Sequence, residues 1–171
     1  MLIGERVNLG AVVGKDMAAL FQWRNNRELS ILGGHYRPVD EAVFTEWVAG
    51  AKFVLPRVLF VIRKNEASEP IGYTEIYNIE AASGCAEFGI AVADPANRRR
   101  GYGSEATRLA LDYCWNDLNL RRLSLRVVGD NLAALNMYAK AGFETEGLLR
   151  QGAYVDGAYR DVTLMAVLRP Q

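Results

Sequence analysis

The chain has 171 residues, half of them apolar, and its 20 basic residues balance its 20 acidic ones. This length predicts one domain, spanning residues 1–171, that is large enough to bury a core. The zero net charge argues against nucleic acid as a partner, because binding it needs a strong basic field. No apolar run approaches the roughly 18 residues of a membrane span, and the first residues lack a signal-peptide pattern. We therefore expect a cytoplasmic protein without membrane contact.

Hydrophobic periodicity and turn residues predict the elements along the chain. Strands are predicted at 6–13, 57–64, 71–79, 85–92, 122–128, 143–149 and 159–168. Helices are predicted at 15–27, where Asp16 is a candidate cap, at 39–50, at 104–118 and from Asn131 to about Lys140. Short connections predict that the middle three strands form an antiparallel meander, and the helix at 104–118 predicts a parallel crossover. The fold class is mixed α/β, with a partly antiparallel sheet of about seven strands and about four flanking helices.

The two cysteines and the single histidine show no ligand pattern. Cys85 and Cys114 have neither metal nor redox spacing, so we expect buried free thiols and a reducing compartment. His35 lies in a loop with two glycines and is a candidate contact for an acceptor substrate. With one histidine and no ligand cluster, we expect no metal site.

A basic glycine turn joins the strand 85–92 to the helix 104–118. It reads Asn-Arg-Arg-Arg-Gly-Tyr-Gly-Ser over residues 97–104. The start of a helix leaves backbone N–H groups unpaired and carries the positive end of the helix dipole, and glycines let an anion approach closely. We therefore predict a pyrophosphate site, with candidate residues Arg98, Arg99, Arg100, Gly101, Tyr102, Gly103 and Ser104.

The same turn also satisfies the dinucleotide fingerprint G-x-G-x-x-A, from Gly101 to Ala106. An NADP-linked oxidoreductase is therefore an alternative. Against it, residues 93–100 separate the glycines from their strand, and the position of the ribose-binding acid holds arginines instead. The chain also lacks the repeated strand–helix alternation of a doubly wound dinucleotide fold.

Two ordered motifs identify a family resemblance. Arg98, Gly101 and Gly103 have the spacing Arg-x-x-Gly-x-Gly, which resembles the acyl-CoA signature of the GNAT N-acetyltransferases. About 30 residues on, the stretch 131–143 (NLAALNMYAKAGF) resembles the second motif of that family. The tail over residues 148–165 is similar to the subgroup that acetylates ribosomal-protein N-termini and, in close relatives, spermidine.

The resemblance implies roles for residues in both motifs. The strands 85–92 and 122–128 would splay, and the pantetheine arm of acetyl-CoA would lie between them beside Ile90, Ala91 and Val92. The Ala91 N–H would polarise the thioester carbonyl. Further contacts to the cofactor would come from Asn131 and Asn136. Tyr138 would protonate the leaving thiolate, and Glu87 would act as base, with Glu75 as the second candidate.

The expected function is acetyl transfer from acetyl-CoA to a primary amine by direct attack, since no residue resembles a covalent nucleophile with a partnered base. A protein N-terminus, a polyamine, and a small amine or antibiotic stay open as acceptors. A non-catalytic acyl-CoA-binding module is a further alternative. Relatives that pair as homodimers make a homodimer an expectation here too.

Overall fold

The computed structural model describes residues 1–34, 36–53, 57–67, 69–129 and 131–170; at 51–53 it describes the backbone alone. The strands are β1 Leu2–Ile3, β2 Val7–Gly10, β3 Val58–Lys64, β4 Pro70–Glu80, β5 Cys85–Val92, β6 Arg122–Val128, β7 Glu144–Val155 and β8 Ala158–Leu168. The α-helices are α1 Met17–Arg24, α2 Arg27–Leu32, α3 Glu41–Phe53, α4 Tyr102–Asn116 and α5 Leu132–Lys140. Short 3-10 turns occupy Gly14–Asp16 and Pro95–Asn97.

One mixed sheet organises these elements, in the order β1-β2-β3-β4-β5-β6-β8-β7. The meander β3-β4-β5 is antiparallel as predicted, and β5 and β6 are parallel. A doubly wound dinucleotide fold has a mostly parallel sheet. Because β5–β6 is the parallel pair in a sheet of antiparallel neighbours, the topology contradicts the NADP-linked oxidoreductase alternative.

The strands β5 and β6 separate soon after they meet. They pair at three positions only, from Cys85 with Arg122 to Glu87 with Ser124. Beyond Glu87, β6 follows β8 along its whole length, while β5 stays with β4. The sheet therefore opens into a wedge-shaped gap, which confirms the expected splay of the two strands.

The two faces of the sheet have separate cores. On one face, Phe88 and Leu123 pack with α4 and with Tyr138 of α5. On the other, Leu59 and Val61 of β3 pack against α1 and α3. Residues directly opposite each other in a sheet share a face. Consequently Glu75 and Tyr73, which lie opposite Leu59 and Val61, face α1 and α3.

The segment before β3 differs most from the prediction. The helix predicted at 15–27 ends at Arg24, because the Asn26 side chain accepts a hydrogen bond from the Leu29 N–H (3.0 Å) and begins the separate helix α2. Asp16 makes no cap hydrogen bond to α1; its carboxylate is fully buried, accepts from the Val13 N–H (2.8 Å) and pairs with Arg63. An additional short strand, β1, precedes β2. The sheet thus has eight strands and the described residues form five α-helices.

The two cysteines are free thiols, but only one is fully buried. Cys114 lies in the core, and burial raises the pKa of its thiol to about 12. Cys85 is half-buried at the start of β5, with its Sγ 3.6 Å from the Ser83 carbonyl oxygen. The expectation of burial was therefore wrong for Cys85, which faces outward where β5 begins.

Candidate active site

The glycine turn forms one end of the gap. Gly101 is the N-cap of α4 and has a left-handed backbone (φ 81°), which glycine adopts without a steric penalty. The Glu105 N–H donates to the Gly101 carbonyl (3.1 Å) and closes the first turn of the helix. By helix geometry, the N–H groups of Tyr102, Gly103 and Ser104 then point out of the helix end. This arrangement gives the turn the anion-binding geometry that the motif predicts.

The three arginines of the turn are placed differently. The guanidinium of Arg98 donates to the carbonyl oxygens of Val92 and Ala93, both at 3.0 Å, and so holds the end of β5. Arg99 and Arg100 are exposed. Their guanidinium groups can therefore reach a bound anion, whereas that of Arg98 positions the backbone.

The hydrogen-bond ladder between β4 and β5 decides which groups of β5 face the gap. The Ala93 N–H donates to the Ile71 carbonyl (3.0 Å), and the register continues without a shift to Tyr73 opposite Ala91. In an antiparallel pair, such exchanging positions alternate. The Ala91 N–H is therefore directed at Tyr73, while the N–H groups of Ile90 and Val92 point into the gap.

The helix α5 brings the second motif to the gap. Asn131 is its N-cap, and its Oδ1 accepts from the Ala134 N–H (3.2 Å), while its amide NH2 donates to no group among the described residues. Asn136 is exposed on the same helix. The ring of Tyr138 is 7% exposed and packs edge-on against Phe88, with 6.3 Å between the centroids. Burial and the nearby Tyr77 raise the pKa of Tyr138 well above its ordinary value.

Glu87 lies at the point where the two strands diverge. It is the last residue of β5 that pairs with β6, and it stands opposite Tyr77 of β4. Its Oε1 accepts from the Asn78 side-chain amide (2.8 Å). Burial, the charges of Glu87 and Glu75 and a hydrogen bond with Glu87 raise the pKa of Tyr77 to about 12. Glu87, Tyr77 and, across the gap, Tyr138 thus form one neighbourhood.

Glu75 lies on β4, two residues before Tyr77 and on the same face of the sheet, and has a different environment from Glu87. Its Oε1 is 2.8 Å from an Arg57 guanidinium nitrogen, and that guanidinium stacks on Trp47, 4.3 Å from the ring centroid. Arg24 lies over the same ring at 5.5 Å. Burial raises the pKa of Glu75, although Arg57 and Arg24 oppose the shift. A carboxylate with a raised pKa is a better proton acceptor near neutral pH.

Gly89 leaves open space between the two carboxylates. It stands opposite Glu75, and a Cβ built on it would meet the Tyr77 ring at 3.8 Å and nothing nearer. Its backbone lies on the strand that borders the gap. A small nitrogen nucleophile placed above Gly89 would have Glu75 and Glu87 on either side.

Sequence reasoning missed the groups whose partners are distant in the chain. Tyr77 and Asn78 carried no motif, although their positions next to Glu75 on a predicted strand were a usable signal. Arg57 and Trp47 also had no local signal, because they meet only after α3 packs on the sheet. His35, predicted as an acceptor contact, lies outside the described residues.

Neither a metal-binding cluster nor a membrane-spanning helix is found in the part of the chain that the structure describes. No group of three or more histidine, cysteine, aspartate or glutamate side chains there could hold a metal ion. None of the helices there is long and apolar enough to cross a membrane.

Comparisons with known proteins place this geometry in a family. The model of the acetyltransferase (GNAT) domain matches residues 6–144. The chain belongs to the GNAT acetyltransferase family. The identification made from the two motifs is therefore confirmed, and the strand splay and the glycine turn are the GNAT features of this chain.

Among curated GNAT relatives, the chain is similar to the spermidine N(1)-acetyltransferase of Vibrio cholerae. The two are 34% identical over 99 residues, which cover 58% of this chain and 57% of the relative. An L-amino acid N-acetyltransferase of Escherichia coli (strain K12) is 42% identical over 79 residues, which cover 43% and 48%. The matched stretches thus span about half the length of these relatives.

A GNAT crystal structure matches almost the entire chain. The spermidine N-acetyltransferase from Vibrio cholerae in complex with CoA and spermine superposes with a TM-score of 0.84 at 27% identity. The superposition covers 95% of each chain. Nearly the whole chain, and so also residues outside the stretches matched to these curated relatives, therefore shares the fold of that enzyme.

Proposed function

We propose that this protein transfers the acetyl group of acetyl-CoA to a primary amine, in one step and without an acyl-enzyme. The observation that carries this proposal is the gap between β5 and β6, which runs from Glu87 to the unpaired N–H groups of the glycine turn. A nucleotide-linked thioester has an anionic end and a reactive end, and the two ends of the gap offer groups suited to each.

In this proposal, the backbone N–H groups of residues 99–104 bind the pyrophosphate. Three features support the assignment: the helix N-terminus, the left-handed Gly101, and the exposed Arg99 and Arg100. A Cβ at Gly103 would lie 3.1 Å from Met137 Sδ, so this glycine also keeps the turn close to α5. The free amide groups of Asn131 and Asn136 are donors for the pantetheine arm.

The N–H groups of Ile90 and Val92 are proposed to stabilise the reacting carbonyl. The ladder aims them into the gap, whereas the Ala91 N–H faces Tyr73. A donor fixed in a strand loses no further freedom when charge develops on the thioester oxygen, which is the condition for effective stabilisation. The oxyanion role that the resemblance implied for Ala91 therefore moves to its neighbours, and Ala91 lines the gap.

Glu87 is proposed as the base that receives the proton of the amine, directly or through water. It lies at the closed end of the gap and is held by Asn78, with no arginine paired to it among the described residues. Glu75 is the second candidate, because burial raises its pKa, but its carboxylate is paired with Arg57. Tyr138 is proposed to protonate the thiolate, because its phenol is protonated at neutral pH and can donate that proton as charge develops on the sulfur.

The acceptor class follows from the relatives and from the charges above Gly89. Glu75 and Glu87 flank the space that an amine would enter, and Glu87, which has no arginine partner among the described residues, favours a cationic substrate. Spermidine is the substrate named for the Vibrio cholerae relative, so we propose a polyamine first. A protein N-terminus and a small amine or amino acid are the other candidates.

The test is release of the CoA thiol from acetyl-CoA across polyamine, peptide and small-amine acceptors. We expect thiol release with spermidine, with a lower kcat/KM for Glu87→Gln and a smaller loss for Glu75→Gln. A larger loss for Glu75→Gln would reassign the base. Binding of acetyl-CoA without thiol release on any acceptor would contradict the proposal and favour a non-catalytic acyl-CoA-binding module.

Three coarser features complete the proposal. We propose one domain over residues 1–171, because one sheet contains the strands from both ends of the described chain. We propose a homodimer, supported by the outward-facing Leu148 and Leu149 on the edge strand β7, and light scattering at several concentrations tests it. A cytoplasmic location is proposed from the free cysteines and the acetyl-CoA requirement, and cell fractionation tests it.

A further inference from the structure

A buried carboxylate lies in the first turn of α4, directly behind the glycine turn. Glu105 is 5% exposed, and its Oε1 accepts from the backbone N–H groups of Arg6 (2.8 Å) and Val7 (3.3 Å). Its Oε2 accepts from Arg6 Nε (3.1 Å). A Cβ at Gly4 would lie 2.4 Å from Glu105 Oε1, so the chain before β2 fits closely around this carboxylate. Glu105 therefore connects the N-terminal strands to the N-terminus of α4.

The Arg6 guanidinium extends this contact to the glycine turn itself. Its Nη1 donates to the Arg100 carbonyl oxygen (2.9 Å). Its Nη2 lies 2.7 Å from where a Cβ on Gly101 would be, and its Cζ is 5.7 Å from the Tyr102 ring centroid. One side chain therefore contacts three successive residues of the turn.

The negative charge of Glu105 would oppose anion binding at the turn if it were not paired with the positive charge of Arg6. A carboxylate near the helix N-terminus would repel a bound pyrophosphate, and the positive guanidinium of Arg6 offsets that repulsion. Burial alone would raise the pKa of Glu105, but the hydrogen bonds from the Arg6 and Val7 N–H groups and from the Arg6 side chain lower it below its ordinary value. The carboxylate is thus charged and needs its partner.

We propose that Glu105 and Arg6 are positioning residues for the acetyl donor: Glu105 orients Arg6, and Arg6 holds the Arg100 carbonyl and Gly101 so that the turn's N–H groups converge on the pyrophosphate. This inference rests on the proposed binding of acetyl-CoA at the turn. Neither residue belongs to the acyl-CoA motif, and Arg6 lies 99 residues before Glu105 in the chain.

The experiment measures kinetics with two donors, acetyl-CoA and S-acetylpantetheine, which lacks the pyrophosphate and the nucleotide. For Arg6→Ala we expect the KM for acetyl-CoA to rise about tenfold, with kcat and the acceptor KM changed less than about twofold. With S-acetylpantetheine, wild type and Arg6→Ala should have the same kcat/KM. An equal loss with both donors would overturn the proposal, because it would indicate a general structural effect.

A double-variant cycle tests the opposed charges. Arg6→Ala leaves the Glu105 carboxylate unpaired beside the anion site, so adding Glu105→Gln should recover part of the lost affinity for acetyl-CoA. Losses that simply add in the double variant would overturn the charge argument. Glu105→Gln alone should raise the KM several-fold, because its amide N–H would oppose the donor Arg6 Nε.

Arg63→Ala is the matched control, since Arg63 also pairs with a buried carboxylate, Asp16, but outside the turn. It should lower stability and leave the KM for acetyl-CoA unchanged. If Arg63→Ala raised this KM as much as Arg6→Ala, stability loss alone would explain the effect and the proposal would fail. A wild-type protein that does not bind acetyl-CoA would instead refute the proposed function. If Glu105→Gln does not fold, the half-exposed Arg6 still provides the decisive variant.

Discussion

In the proposed function, the acetyl donor and the amine acceptor are recognised by different means on the two sides of the site. The donor side uses backbone groups: the N–H groups of the glycine turn and of β5, held by Gly101 and by the start of α4. The acceptor side uses side chains from β4, β5, two helices and the residue before β3, such as Glu75, Trp47 and Arg57. The conformation of the glycine turn is local, whereas the acceptor side chains and the direction of the N–H groups of β5 depend on tertiary packing. The first can be read from a short motif, and the second cannot.

The largest expected effect concerns the side chain that connects the two faces. Tyr138→Phe removes the hydroxyl proposed as the acid and keeps the ring packed on Phe88. We expect kcat to fall about 100-fold, with both KM values nearly unchanged. Steady-state kinetics measure this, and thermal unfolding serves as a control for the core. A kcat within about threefold of wild type would exclude Tyr138 as the acid.

A change confined to the acceptor side should separate the two faces. Gly89→Val places a side chain in the space beside Glu75, at a strand position that tolerates valine. We expect kcat/KM for the amine to fall about 30-fold, while isothermal titration finds unchanged binding of acetyl-CoA. Gly50→Ala in α3, which would meet nothing within 4 Å, is the control. Weakened donor binding in Gly89→Val would show that the two sides are not independent.

The complementary change on the donor side is Gly101→Ala. At φ 81° an alanine costs about 1–2 kcal/mol, and its Cβ would lie 2.7 Å from Arg6 Nη2. The KM for acetyl-CoA should rise about tenfold, with the acceptor KM constant. Initial rates at varied concentrations of each substrate distinguish the two. An increase in the acceptor KM alone would contradict the placement of the donor at this turn.

The smallest effect concerns stability. Because the pKa of Glu105 is lower in the folded state than in the unfolded chain, its stabilisation is present above the unfolded value, about 4.3, and is lost as the pH falls through the folded value. Urea unfolding should show Glu105→Gln less stable than wild type by about 1 kcal/mol at pH 7. The difference should shrink on acidification. A difference independent of pH would show that the lost contacts are not those of an ionised carboxylate.

Sequence patterns predicted the elements whose signals are local. The strands 85–92 and 122–128 have the predicted bounds, and the helix predicted from Asn131 to about Lys140 is α5, with Asn131 as its N-cap. Asp16 shows the limit, because Arg63, 47 residues away, pairs with its buried carboxylate in place of the expected cap hydrogen bond. Asn26 likewise is the N-cap of α2, a separate helix that apolar periodicity did not predict.

The site followed the same division. The glycine turn and α5 were recognisable because the motifs that mark them consist of contiguous residues. The acceptor side could not be assembled, since the meeting of Arg57 with Glu75 depends on the register of β3 and β4 and on the packing of α3. The direction of the Ala91 N–H depends on the pairing of β4 with β5. Strand register decides which residues of β5 exchange hydrogen bonds with β4 and which face the gap.

The early separation of β5 from β6 makes this sheet incomplete in a particular way. Along Phe88–Val92, one edge of β5 has no strand beside it among the described residues, although β5 lies in the middle of the sheet. An extended molecule with amide groups, such as a pantetheine arm, can take the position of the missing strand. Binding of the donor would then bridge β5 and the unit of β6, β8 and β7. Amide hydrogen exchange at Ile90 and Val92 should slow when the donor is bound.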